Sequence, residues 1–253
     1  MKVDNLYIVM FPSKSDIQKG AGEVYTSGDS LFAKYSLKCK STETYVVKTL
    51  GGRGPSTRGD VVKNFVSGAM PDSFSCERRP NCCSGGFVEG GSVGVYAVFH
   101  CDLDSRPVLF DALQSGLNAK KMDQDKTAQA FVRVLYDNVG IARMDKLVLV
   151  ACNSAHHAVQ GSMSFLDRVC AVLGKDGNPP CIVGWDGFEF VSGKDGSKTD
   201  GSGSTGRSEQ RSERKWIATY VPGMGYQQKR YEPQGWSADQ HVQTNIGPAC
   251  IPL

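Results

Sequence analysis

Two residues with the chemistry for acyl transfer close two strand-like runs. Lys146-Leu147-Val148-Leu149-Val150-Ala151-Cys152-Asn153-Ser154-Ala155 is apolar and Val-rich, with no helical period, until it meets a thiol and then small polar residues. Ser92-Val93-Gly94-Val95-Tyr96-Ala97-Val98-Phe99 is a run of the same kind and ends at His100. A thiolate is a strong nucleophile, and an imidazole, titrating near neutral pH, can take up its proton and pass it to a leaving group. In an open α/β sheet, chemistry gathers just beyond the carboxyl ends of the strands. If the two runs are parallel neighbours, Cys152 and His100 reach one rim together. The plainer reading of Cys152 is inert packing at the end of a core strand, since Cys is among the most buried residue types.

The elements that must position this pair alternate between strand and helix. Leu6 to Phe11 reads as a first strand, stopped by Pro12, and polar, Gly-rich sequence follows through Ser30. Leu31–Leu37 and Thr44–Leu50 are expected as strands, the second β-branched at Thr44, Val46, Val47 and Thr49. Gly51-Gly52-Arg53-Gly54-Pro55 breaks the chain, and Asp60 can cap a short helix carrying Val61, Val62, Phe65 and Val66. Met70–Gly91, rich in Pro, Gly and Cys, reads as a long loop, and Arg106–Leu117 as irregular or briefly helical. Asp123–Val139 is the strongest helix pattern, with Ala128, Phe131, Leu135 and Val139 on one face. A second helix carries Phe165, Leu166, Val169, Cys170 and Leu173, and Cys181–Trp185 is another buried strand. Strand, helix, strand, helix, strand predicts a parallel sheet with right-handed crossovers. Beyond it, Phe188–Val191 and Lys215–Val221 alternate like the arms of a hairpin, separated by Ser192–Arg214, which is too polar to pack. The tail from Pro222 holds Trp236 and His241 without a clear period.

A chain of 253 residues fits one large α/β domain. Lys plus Arg (29) against Asp plus Glu (26) leaves a net charge of +3, too small a bias to argue for nucleic acid or an anionic membrane as a general partner. The count of nine cysteines is odd and no secretory signal precedes them, which fits free thiols in a reducing compartment. The apolar run within Met1–Phe11 is too short to span a membrane, and no later run approaches the necessary length. The expectation is a soluble cytoplasmic protein, or one exported without an N-terminal signal. Cys76-Glu77-Arg78-Arg79-Pro80-Asn81-Cys82-Cys83 lacks the paired Cys-x-x-Cys spacing of a structural zinc site. His156 and His157 read as neutral side chains on a helix surface, so no metal is expected. Gly51-Gly52-Arg53-Gly54 lacks the Gly-Lys-Ser/Thr of a phosphate-binding loop. Arg58-Gly59-Asp60 and the terminal Cys250-Ile251-Pro252-Leu253 match an adhesion tripeptide and a prenylation box by chance.

A buried strand ending in His, a helix, and a buried strand ending in Ala-Cys together resemble the caspase–gingipain–legumain clan of cysteine peptidases, over about Val93 to Val191. Leu149–Ala155 is especially similar to the separase-like CHAT peptidases, and the clan also includes the inositol-phosphate-triggered protease domains of bacterial toxins. The resemblance implies a caspase-like three-layer α/β sandwich, with a mostly parallel sheet and a C-terminal β-hairpin extension. It implies Cys152 as nucleophile, His100 as base and proton donor, a thioester acyl-enzyme, and protein or peptide substrates without a cofactor. The oxyanion donors would be the backbone N–H groups of Cys152 and Cys101. The clan's usual His-Gly is His100-Cys101 here, which adds a Cβ at one donor. Specificity in the clan comes from loops after the strands, which makes Asp186 and Arg53 the expected substrate-binding residues. Arg207, Arg211, Arg214, Lys215, Lys229 and Arg230 gather around the expected hairpin, where the toxin domains receive an inositol polyphosphate activator. Two readings of other classes stay open. One is a papain-like glutamine deamidase or transglutaminase pairing Cys152 with His241, and the other is a non-catalytic interaction module on the same scaffold.

Overall fold

The computed structural model describes residues 3–49, 74–102, 104–109, 124–157, 161–187, 189–192, 197–201, 208–209 and 215–230. Five parallel strands form its centre: β1 (Asn5–Phe11), β2 (Ser41–Thr49), β5 (Val93–Cys101), β7 (Lys146–Val150) and β8 (Cys181–Trp185). They lie side by side in the order β2-β1-β5-β7-β8. Antiparallel strands border them. On one side are β3 (Phe74–Arg78) and the short β4 (Ser84–Gly85), and on the other β12 (Lys215–Val221) and β13 (Gly225–Arg230). The two-residue β6 (Pro107–Val108) folds back on the end of β5.

The central runs lack an apolar/polar alternation because both of their faces are covered. Leu6, Ile8, Met10, Tyr96, Val98, Val148 and Val150 face helix α2 (Glu23–Tyr35), which contributes Val24 and Leu31. Val9, Phe11, Val95, Ala97, Phe99, Leu147 and Leu149 face the other way. There they meet α3 (Gln124–Arg133), its π-turn extension Val134–Asn138, and α4 (Phe165–Leu173). The result is the expected three-layer α/β sandwich with a mostly parallel sheet and a C-terminal hairpin. Just below the carboxyl-end rim, Phe99 packs edge-on to Phe11 and Phe165, and Phe131 to Phe165, with centroids 6.5, 5.5 and 5.4 Å apart. This cluster stiffens the floor on which the rim residues stand.

Three local expectations are corrected. Leu31–Leu37 is not a strand: the chain after Pro12 forms α1 (Lys14–Lys19) and then α2, which runs to Tyr35. Gly28 interrupts the apolar stripe of α2 in sequence, yet it is buried against β1, where a Cβ would overlap Met10 Sδ. Within Met70–Gly91, β3 pairs along the edge of β2, with Lys48–Glu77 and Arg78–Glu43 ion pairs of 2.8 Å each. The Pro, Gly and Cys residues around this short, charged edge strand made the segment read as loop. Lys215–Val221 pairs not with Phe188–Val191 but with β8 and with β13, through a reversal at Gly223 and Gly225, both near φ +75°. β9 (Glu189–Ser192) instead joins β10 (Ser197–Gly201) and β11 (Ser208–Glu209), within the polar stretch, in a small separate sheet.

The expected helix at Asp60–Val66, together with Arg53, Arg207, Arg211, Arg214 and His241, lies outside the described residues. Among the described residues no cysteine forms a disulfide, and no helix is long and apolar enough to cross a membrane.

Candidate active site

β5 and β7 are hydrogen-bonded parallel neighbours, and their register ends with Val98 opposite Val150. Two residues beyond that pair stand His100, the penultimate residue of β5, and Cys152, just past the end of β7, so both lie at the carboxyl-end rim. β7 ends in a tight turn in which the Ala151 N–H donates to Leu149 O at 3.0 Å. Asn153 then adopts φ +52°, a left-handed conformation that Asn tolerates better than most residues. Its N–H donates to Gly187 O (2.7 Å) beyond β8, and its side-chain amide donates to Asp102 O (3.2 Å), two residues past His100. Ser154, fully buried, accepts the Trp185 N–H at 3.0 Å, and the Ala155 N–H donates to Trp185 O at 2.8 Å. The turn that carries Cys152 is thereby fastened both to the end of β8 and to the segment after His100. Cys152 itself is half-buried.

His100 is oriented from the other side by a residue that the sequence reading did not single out. Its Nε2 lies 3.1 Å from Asp16 Oδ2. A carboxylate only accepts, so Nε2 carries the proton and Nδ1 is left as the basic nitrogen. Asp16 is itself held: the same oxygen accepts the Ser13 N–H (2.9 Å) and the Ser13 hydroxyl (2.8 Å), while the Asp16 N–H donates back to Ser13 Oγ. This is a reciprocal capping box at the start of α1. Because β1 borders β5, with Phe11 opposite Phe99, the chain leaving β1 emerges beside His100. The Ser13-x-x-Asp16 spacing directly after an apolar strand was the available signal.

Cys101, expected as an oxyanion donor, sits opposite Pro107 of β6. Just beyond that pair the Asp102 N–H donates to Arg106 O at 3.0 Å, and the Asp102 side chain accepts the Arg106 N–H at 2.8 Å.

Asp186, expected to bind substrate, stands on the same rim at the end of β8, where its Oδ1 lies 2.7 Å from His156 Nδ1. His156 and His157 do not lie on a helix surface as expected. The turn through Asn153 closes with the His156 N–H donating to Asn153 O at 3.1 Å, no helix follows directly among the described residues, and each imidazole turns to an aspartate. His157 Nε2 lies 2.7 Å from Asp167 Oδ2, whose other oxygen accepts from the Gln228 amide of β13 at 2.6 Å. That hydrogen bond raises the His157 pKa against the opposing effect of burial, and the charges of Asp167 and Asp186 add to it. Asp167 is also the capping-box residue of α4, accepting the Ser164 N–H at 2.7 Å. A carboxylate that caps a helix and holds a histidine thus occurs twice on this rim. Among the described residues no cluster of His, Cys, Asp and Glu is arranged to hold a metal ion. Of the six basic residues grouped around the hairpin, Lys215, Lys229 and Arg230 lie on β12 and β13, where the Arg230 guanidinium stacks 5.9 Å from the Trp216 ring.

No protein-family model and no curated protein matches this sequence. Among solved structures, the chain is similar to a secreted C11 cysteine protease from Bacteroides thetaiotaomicron in complex with an irreversible peptide inhibitor. The identity is 9% and the TM-score 0.32, over 72% of this chain and 48% of that one. This chain spans about half the length of the structure it matches.

Proposed function

We propose that the chain is a cysteine peptidase that cleaves protein or peptide substrates through Cys152 and His100, in the manner of the caspase–gingipain–legumain clan. The observation that carries the reading is the β5–β7 register, in which the His100 and Cys152 strands run parallel and side by side. In this mechanism His100 Nδ1 takes the thiol proton and the Cys152 sulfur attacks the scissile carbonyl carbon. A C–S bond forms, and the C–N bond breaks as the imidazolium returns the proton to the leaving amine. Water, deprotonated by the same nitrogen, then attacks the thioester; a C–O bond forms and the C–S bond breaks. Asp16 keeps the imidazole in the required tautomer and offsets its charge while it holds the proton. Backbone N–H groups of Cys152 and Cys101 stabilise the oxyanion.

The test measures hydrolysis of a fluorogenic peptide library, and covalent capture by a peptidyl chloromethyl ketone, in the full-length chain and its variants. Cys152→Ala and His100→Ala abolish both signals, whereas His156→Ala, which breaks only the Asp186 pair, keeps most of the activity. A fully active Cys152→Ala protein removes the nucleophile assignment. A His156→Ala protein as inactive as Cys152→Ala moves the base to His156.

A further inference from the structure

The opposite end of the sheet is also hollow. Where β1, β5 and β7 begin, on the α2 face, lies a cavity of about 630 Å³, within the roughly 300–1,000 Å³ typical of small-molecule sites. At about 3.3 Å per strand residue, the run from Gly94 to His100 puts it roughly 20 Å from the Cys152 rim. It shares no residue with that rim.

The floor is apolar and aromatic. Leu6 is buried, and the Tyr35 and Tyr96 rings lie 5.0 Å apart between centroids. The Tyr96 hydroxyl donates to the Tyr35 oxygen at 3.1 Å, which leaves the Tyr35 hydroxyl proton for another acceptor. Cys39 adds a neutral thiol, its pKa pushed up by burial first and by the charge of Asp4 second.

The mouth is cationic. Lys38 and Lys146 both line the cavity, and among the described residues no carboxylate does. Nearby Lys40 is already held by Asp4 at 3.0 Å, whereas neither Lys38 nor Lys146 has an ion pair among the described residues. An apolar floor, one spare hydroxyl donor and two ammonium groups are complementary to a molecule that is apolar at one end and anionic at the other.

We propose that this cavity binds a small amphipathic carboxylate, its apolar body over Leu6, Tyr35 and Tyr96 and its carboxylate held by Lys38 and Lys146. The test is a titration of the full-length, methyl-labelled chain with decanoate, read from the Val3 and Leu6 methyl resonances. Acetate and decyltrimethylammonium serve as comparators. Saturable shifts of those methyls are expected with decanoate and none with acetate, and the cationic amphiphile binds at least tenfold more weakly. The K38M/K146M double variant, which leaves the apolar floor intact, weakens decanoate at least tenfold. Decanoate shifts that fail to saturate or map elsewhere overturn the proposal. So does equal affinity for the cationic amphiphile, or unchanged affinity in the double variant. The comparators use the unaltered chain, so the outcome does not depend on the variant folding.

Discussion

Replacing Asp16 with Asn separates the two tasks of that carboxylate. The side chain is nearly buried (8% exposed) and accepts three hydrogen bonds: from the Ser13 N–H, from the Ser13 hydroxyl, and from His100 Nε2 at 3.1 Å. Asn is isosteric and can still accept the Ser13 N–H, so α1 keeps most of its cap. It carries no charge, however, to balance the imidazolium that forms when Cys152 gives up its proton. A hydrogen bond to a charged group is worth about 1.5–3 kcal/mol, and each 1.36 kcal/mol is tenfold in rate, so kcat/KM falls about 10- to 150-fold. Ser13→Ala is the control. It removes the cap hydroxyl at a cost of about 0.5–2 kcal/mol in stability but leaves the carboxylate on His100. The assay pairs kcat/KM on a fluorogenic peptide with urea unfolding for both variants. Asp16→Asn is expected to lose rate far out of proportion to stability, and Ser13→Ala to lose stability with kcat/KM near that of the parent. Equal rate losses in the two variants, or an Asp16→Asn protein as fast as the parent, refute the positioning role.

Three further outcomes follow from the same geometry. His157 has a raised pKa in the fold through its bond to Asp167. Its stabilisation is therefore complete below the ordinary histidine value of about 6.5 and fades as pH rises through the raised one. The Tm advantage of the parent over His157→Gln should accordingly shrink as pH rises above about 6.5, and an advantage that grows with pH contradicts the pairing. Gln228→Ala takes away the 2.6 Å donor to buried Asp167 and should cost about 1–3 kcal/mol in urea unfolding. An unchanged midpoint would mean that the hairpin is not anchored there. Gly28→Val drives a side chain into Met10 Sδ and should cost about 1–3 kcal/mol, part of it recovered in a Gly28→Val/Met10→Ala double variant. Strict additivity of the two changes would argue against the contact.

The centre of the sheet was legible because parallel strands covered on both faces leave unbroken apolar runs. Val93–Phe99, Leu147–Val150 and Cys181–Trp185 read as strands for that reason, and α3 and α4 showed a clear helical period. Their order along the chain was enough to predict parallel crossovers. Helix α2 was hidden by its own packing, since Gly28 belongs to the buried stripe only because Met10 fills the space a side chain would take. The hairpin was misassigned because Lys215–Val221 alternates equally well for any partner, and only the turn glycines at 223 and 225 pick out β13. At the rim, Cys152 and His100 drew notice as residue types. Asp16 and Asp167 did not, because each looks like an ordinary helix cap until the fold brings an imidazole to its second lone pair.

β1 is flanked by β2 on one side and β5 on the other, and the chain visits them in that order. The link from β1 to β2 lays α2 over one face, whereas the link from β5 to β7 lays α3 over the other. Winding therefore reverses between β1 and β5, and the two links part at the carboxyl ends of those strands, where Asp16 and His100 meet. That meeting point comes from the route of the backbone, which brings the chain leaving β1 beside the end of β5. The rim residues also tie the strand ends together: Asn153 reaches Gly187 and Asp102, and Ser154 reaches Trp185, so a change at either would shift the bed of Cys152 as well as its surroundings.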